Sequence, residues 1–93
     1  MEFEHIKFNG SISAEDLEDI LRDAAEKFGM SMERNSGDEG EVNYSFGNII
    51  PKMGLICDFD KGLGRLYSKS KIIGEEKVKE FKGFFEESYR EKP

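Results

Sequence analysis

Tryptophan, threonine and glutamine are absent from this 93-residue chain, and cysteine and histidine occur once each. A single cysteine, Cys57, rules out an intramolecular disulfide. With no leader-like segment in view, the expected compartment is a reducing cytoplasm. A lone histidine, His5, could serve a metal or a catalytic relay only with partners of another type, so a place on a strand surface is expected for it. No apolar run approaches the roughly 18 residues that span a bilayer, which leaves no expected membrane contact. No repeat, low-complexity tract or interdomain linker is visible. The length suits one domain, residues 1–93, with a modest core.

What the chain has in plenty is charge. Asp and Glu number 20 against 14 Lys and Arg, a net charge of −6. That balance disfavours a general binder of nucleic acid or of anionic membranes. The distribution is uneven: residues 1–60 carry 5 bases against 14 acids, and residues 61–93 carry 9 against 6. Within 61–74 lie Lys61, Arg65, Lys69 and Lys71 with no acid between them. Such a segment is either a solvated surface or a patch that meets an acidic partner. Many Glu and Lys with few amides is also a drift seen in proteins of thermophiles.

Hydrophobic periodicity divides the chain into seven elements. Residues 3–10 read as a strand with Glu4, Ile6 and Phe8 on one side and Phe3, His5 and Lys7 on the other. Residues 13–29 read as a helix. Ser13 and Asp16 make a capping pair, Ile12 can staple to Leu17, and Leu17, Ile20, Leu21, Ala24, Ala25 and Phe28 form one apolar stripe. Gly29 is placed to end it. Residues 30–34 are a short strand, 35–41 a polar, glycine-rich loop expected to be flexible, and 41–46, 53–59 and 64–70 three further strands. Residues 75–90 form a second helix with Val78, Phe81, Phe85 and Tyr89 on one face, and 91–93 a frayed end.

The order is β-α-β-β-β-β-α. Short connections imply an antiparallel sheet, and two single-stripe helices imply that both pack on one face of it. The expected class is therefore α+β, one domain. This element order resembles one repeat of the TATA-binding-protein fold. The resemblance is one of order alone and implies nothing about function.

One short run, "CDFDKG" at 57–62, has the look of a chemical motif. An EF-hand loop counted from Asp58 fails, because Gly62, Leu63 and Lys69 stand where a ligand, the glycine and the glutamate are required. "GLICDFDKGL" also looks like the first motif of the haloacid-dehalogenase phosphatases, in which the first aspartate is the nucleophile. The sequence departs from that pattern at once: Lys61 and Gly62 replace a glycine and a hydroxyl residue, and no aspartate follows Asp60. Gly62 and Gly64 lack the lysine-serine ending of a phosphate loop. The plain reading is a hairpin with Lys61-Gly62 as a two-residue turn, or, because lysine is not the favoured first turn residue, a longer loop with the same pairing. In that register Asp58 faces Arg65, Cys57 faces Leu66 and Ile56 faces Tyr67. Cys57 then reads as a small buried hydrophobe.

No catalytic residue, metal ligand or cofactor is expected, and the chain is not expected to be an enzyme. The candidate interaction face is Ile56, Asp58, Arg65, Tyr67 and Lys69, which that register leaves on the open side of the sheet. Depending on register, Phe3, His5, Lys7, Asn43 and Ser45 join it. The expected role is a small module that binds a protein partner, or itself, through the open face or an edge strand. The alternative is nucleic-acid contact through Tyr67, Arg65, Lys69 and Lys71 in the basic 61–71 segment, with bases stacking on aromatics.

Overall fold

The computed structural model describes residues 3–35, 41–47, 51–69 and 75–91. The expected flexible loop and Lys71 lie outside the described residues, apart from Asn35 and Glu41, which belong to strands. Of the expected frayed end, Glu91 closes a helix, and 92–93 lie outside the described residues.

The first strand, β1, runs Glu4–Lys7 and is followed by helix α1, Ala14–Lys27. Ser13 caps α1 by accepting a hydrogen bond from the Asp16 N–H at 3.1 Å, and Gly29 takes the left-handed turn beyond its end (φ 68°). Strands β2 (Ser31–Asn35), β3 (Glu41–Gly47), β4 (Pro51–Asp58) and β5 (Leu63–Ser68) then form a meander, and helix α2 spans Glu75–Glu91.

All pairings are antiparallel and the sheet order is β1-β5-β4-β3-β2, so β4 is the central strand and β1 and β2 are the edges. Every second residue points to the same side. One side carries Ile6, Tyr44, Phe46, Met53, Leu55, Cys57 and Leu66, all buried. These pack with Leu17, Ile20, Leu21, Ala24 and Ala25 of α1 and with Val78, Phe81 and Phe85 of α2 in one core. Both helices therefore cover the same face, as the α+β reading requires. Full burial of a Leu or Phe side chain contributes about 1.5–3 kcal/mol, so this one-sided layer is the main source of stability. Phe28 bridges the helices, tilted against Phe81 at 6.0 Å and edge-on to Phe84 at 6.3 Å. Neither helix is long and apolar enough to cross a membrane.

The β4–β5 hairpin has a different register from the sequence reading. Cys57 faces Gly64 instead of Leu66, Ile56 faces Arg65 instead of Tyr67, and Asp58 faces Leu63 instead of Arg65. The turn is a four-residue loop, Phe59–Gly62. Asp58 builds it, because its Oδ1 accepts the N–H groups of Asp60 at 3.0 Å and Lys61 at 3.2 Å. Gly62 has φ 62°, its carbonyl accepts the Phe8 N–H at 2.9 Å, and a Cβ there would strike the Phe8 carbonyl oxygen. The Phe59 ring meets Phe8 edge-on at 5.4 Å. The slip is of two residues, so each side chain keeps its face while its cross-strand partner changes.

Candidate docking face of the sheet

The side of the sheet away from the helices holds all five residues expected on the open face. Its rows cross the sheet in order. In one row, His5, Arg65, Ile56, Asn43 and Asn35 lie side by side. In the next, Tyr67, Gly54, Ser45 and Glu33 are neighbours, with Phe3 in the position before β1. In the row toward the loop lie Lys7, Leu63, Asp58 and Glu41.

Tyr67 lies flat across the strand beside it. Gly54 makes this possible: a Cβ there would come within 2.5 Å of the Tyr67 ring and hydroxyl and 2.8 Å of Lys69 Cε. A glycine inside an otherwise apolar strand is a readable sign of such close approach. Phe3 meets Tyr67 edge-on at 5.6 Å. Each ring carries a cation: the Arg65 guanidinium lies 5.6 Å from the Phe3 centroid and Lys69 Nζ lies 5.9 Å from that of Tyr67. Lys69 Nζ also donates to Ser45 Oγ at 3.0 Å, and Asn35 Nδ2 donates to the same oxygen at 2.8 Å. This explains how Ser45, at 7 % exposure, can be buried on the open side.

Arg65 reaches over Ile56 to Glu41, with Nη2 3.9 Å from the carboxylate. The expected partner, Asp58, is instead committed to its own loop. Residue type and alternation alone did not reveal Glu41, because its place beside Arg65 depends on how β3 registers with β4. Both members of the pair are partly exposed, so its contribution is at most about 1 kcal/mol. Asn43 Oδ1 is buried and has no hydrogen-bond partner among the described residues.

The ionisable groups of this face are sorted by strand. On β1, on β5 and just past its end they are His5, Lys7, Arg65 and Lys69. Among the described side chains on β2, β3 and β4 they are Glu33, Glu41 and Asp58. The face is thus basic and aromatic toward one edge and acidic toward the other.

Elsewhere the reactive groups are dispersed. His5 is on the open side and Cys57 is on the helix side, so sheet alternation separates them. Burial pushes the Cys57 thiol up to about 12, far from the thiolate a nucleophile requires. Tyr44, on the helix side, has a buried hydroxyl with no hydrogen-bond partner among the described residues. Burial first, and then the nearby Glu18 carboxylate, hold it strongly in the protonated form. A cleft of about 520 Å³ lies between α1 and α2, lined by Asn9, Ser11, Ile12, Ser13, Asp16, Ile20 and Tyr89. Polar groups at its mouth are engaged with each other: the Tyr89 hydroxyl accepts the Asn9 N–H, and Asn9 Oδ1 accepts from Ser11.

Set against family models, curated proteins and solved structures, the chain matches none of them, so its likeness to a TATA-binding-protein repeat stays one of element order alone.

Proposed function

We propose that this chain is a non-catalytic interaction module that docks a protein partner on the uncovered face of its sheet. The observation that supports the reading is the composition of that face. Phe3, Tyr67, Ile56 and Leu63 offer partly buried apolar surface, flanked by Arg65, Lys69 and the acidic side chains. Aromatic residues and arginine enclosed by a polar margin are the composition of protein interfaces. The edges suit docking less well. β1 is four residues long and ends in Lys7, and β2 places Glu33 and Arg34 in succession on its exposed length. Short, charged edge strands discourage strand addition. A buried thiol held protonated fits a non-catalytic role and a reducing cytoplasm, which form part of the proposal.

Nucleic-acid binding is the less favoured reading. Base stacking needs open ring faces, yet Phe3 and Tyr67 each have a cation over the ring. Phosphates approaching this face would also meet Glu33, Glu41 and Asp58.

The test is a photo-reactive residue placed at Ile56 in one variant and at Lys79, on the exposed side of α2, in another. Irradiation in the native cell should yield a protein adduct at position 56 and none at 79. No adduct at 56, equal adducts at both sites, or an oligonucleotide adduct at 56 would reject the reading.

A further inference from the structure

We infer that the occupant of this face is a second copy of the same chain, packed face to face across a two-fold axis along β4. The inference rests on the docking-face reading above. It starts from the sorting of charge about the central strand. β4 has two strands on either side, with Lys7, Arg65 and Lys69 toward β1, Glu33 and Glu41 toward β2, and Asp58 on β4 itself.

Two identical sheets can meet face to face about an in-plane axis in two simple ways. An axis across the strands lays β1 over β1 and sets Lys7, Arg65 and Lys69 against themselves. An axis along β4 exchanges the two sides. It lays the β1–β5 half of each copy, which carries Lys7, Arg65 and Lys69, over the β2–β3 half of the other, which carries Glu33 and Glu41, so halves of opposite charge meet twice over, with Arg65 of one copy one row from Glu41 of the other. Only the second arrangement is self-complementary, and a closed two-fold contact is the commonest form of homo-oligomer.

The rows add particular partners. Residues of β4 lie on the axis and meet their own copies: Ile56 meets Ile56, and Gly54, the smallest residue, leaves room for Tyr67 beside it. Arg65 of one copy comes over Asn43 of the other, because β5 and β3 flank β4 symmetrically. Asn43 Oδ1 is a buried polar atom of this face with no hydrogen-bond partner among the described residues. A guanidinium from the second copy would supply the donor once the amide turns outward. Asp58 also lies near the axis, but the loop N–H groups it accepts hold its carboxylate toward its own chain.

Size sets the strength. Five strands spaced ~4.8 Å and four to eight residues long, at ~3.3 Å each, give a face of roughly 20 × 20 Å. That is at the small end of specific interfaces, so the dimer is reversible, with a dissociation constant in the micromolar range or weaker.

The experiment uses the full chain. Sedimentation velocity from about 10 µM to 1 mM should show the mass rising from 10.7 kDa toward twice that value. Ile56→Cys, treated with a short bis-maleimide, should give a covalent dimer, because position 56 is on the axis. Lys7→Cys should not, because the two edge strands end up ~19 Å apart, four strand spacings. The native Cys57 is buried and gives no background. Ile56→Asp, which sets like charges against each other at a partly exposed site, should fold with an unchanged circular dichroism spectrum and associate about tenfold more weakly or worse. A mass of one chain throughout the range overturns the inference. So does a dimer in which Lys7→Cys cross-links as readily as Ile56→Cys. If the photo-adduct at position 56 contains a different protein and the chain stays monomeric, the docking face stands and the self-pairing falls. If position 56 yields no adduct at all, both fall.

Discussion

Leu66 and Tyr67 are consecutive on β5 and point to opposite sides of the sheet, which makes truncating each a direct measure of the two faces. Leu66 is 0 % exposed, between Leu55 and Glu4 in its row and beneath the helices. Strands on both sides and helices above restrict collapse around a cavity there. Leu66→Ala should therefore cost about 3–5 kcal/mol, the upper part of the range for buried leucine. Tyr67→Ala removes a different set of contacts. The edge-on contact with Phe3 at 5.6 Å is worth about 0.5–1.5 kcal/mol. The Lys69 cation at 5.9 Å adds about 0.5–1 kcal/mol at an exposed site. Some of this returns as side-chain freedom, so the expected loss is about 1–2 kcal/mol. The assay is urea unfolding of the monomer. With a slope of about 1.5 kcal/mol/M, Leu66→Ala should lower the midpoint by roughly 2–3 M and Tyr67→Ala by about 1 M. Equal losses, or a larger one for Tyr67, would refute the assignment of faces. That result would mean the strand is shifted by one residue and Tyr67 belongs to the core.

Three further outcomes follow from buried groups and from the loop. The Cys57 thiol is held protonated in the fold, up to about 12, against roughly 8.5 unfolded, so the folded chain binds this proton more tightly. Its contribution is complete below the unfolded value and is lost as pH rises toward 12, by at most about 1.4 kcal/mol per pH unit; Cys57→Ala should flatten that part of a stability–pH curve. Tyr44→Phe removes a buried hydroxyl with no hydrogen-bond partner among the described residues, so denaturant unfolding should show a change within about 1 kcal/mol, toward greater stability; a loss above about 2 kcal/mol would reveal a bond to that oxygen. Gly62→Ala forces a side chain into the left-handed region and against the Phe8 carbonyl, and should lower stability by more than about 1–2 kcal/mol by the same assay.

Elements that depend on nearby residues were legible in the sequence. α1 is an example: Ser13, Asp16 and the stripe from Leu17 to Ala25 lie within four turns, and the helix forms where they indicate. The side of the sheet taken by each β4 and β5 residue was legible too, because alternation has a period of two and survives a slip of two. The partner of each residue was not. The register is set by Asp58 gathering the Asp60 and Lys61 amides, and by Gly62 bonding to Phe8, more than fifty positions earlier. The first is a choice between two turn geometries that the same residues allow, and the second is a contact that no local pattern encodes. For the same reason Arg65 was matched to Asp58 when its carboxylate is Glu41. The docking face was recognisable as a set of residues. The way its cations cover its rings was not, since that depends on Gly54 letting Tyr67 lie down.

The position of β1 bears on how the molecule is assembled in time. From β2 to β5 each strand pairs with the next in sequence, so that part can zip up through short hairpins. β1 is the exception: Glu4 pairs with Leu66, closing a loop of roughly sixty residues. On a ribosome, β1 has no place in the sheet until β5, the last of the five strands, has emerged. Until then Ile6 and Phe8 have no core to enter, and the outer edge of β5 is unprotected. Long-range closure of this kind slows folding and exposes strand edges on the way, so seating β1 is the step at which a nascent chain is most open to mispairing.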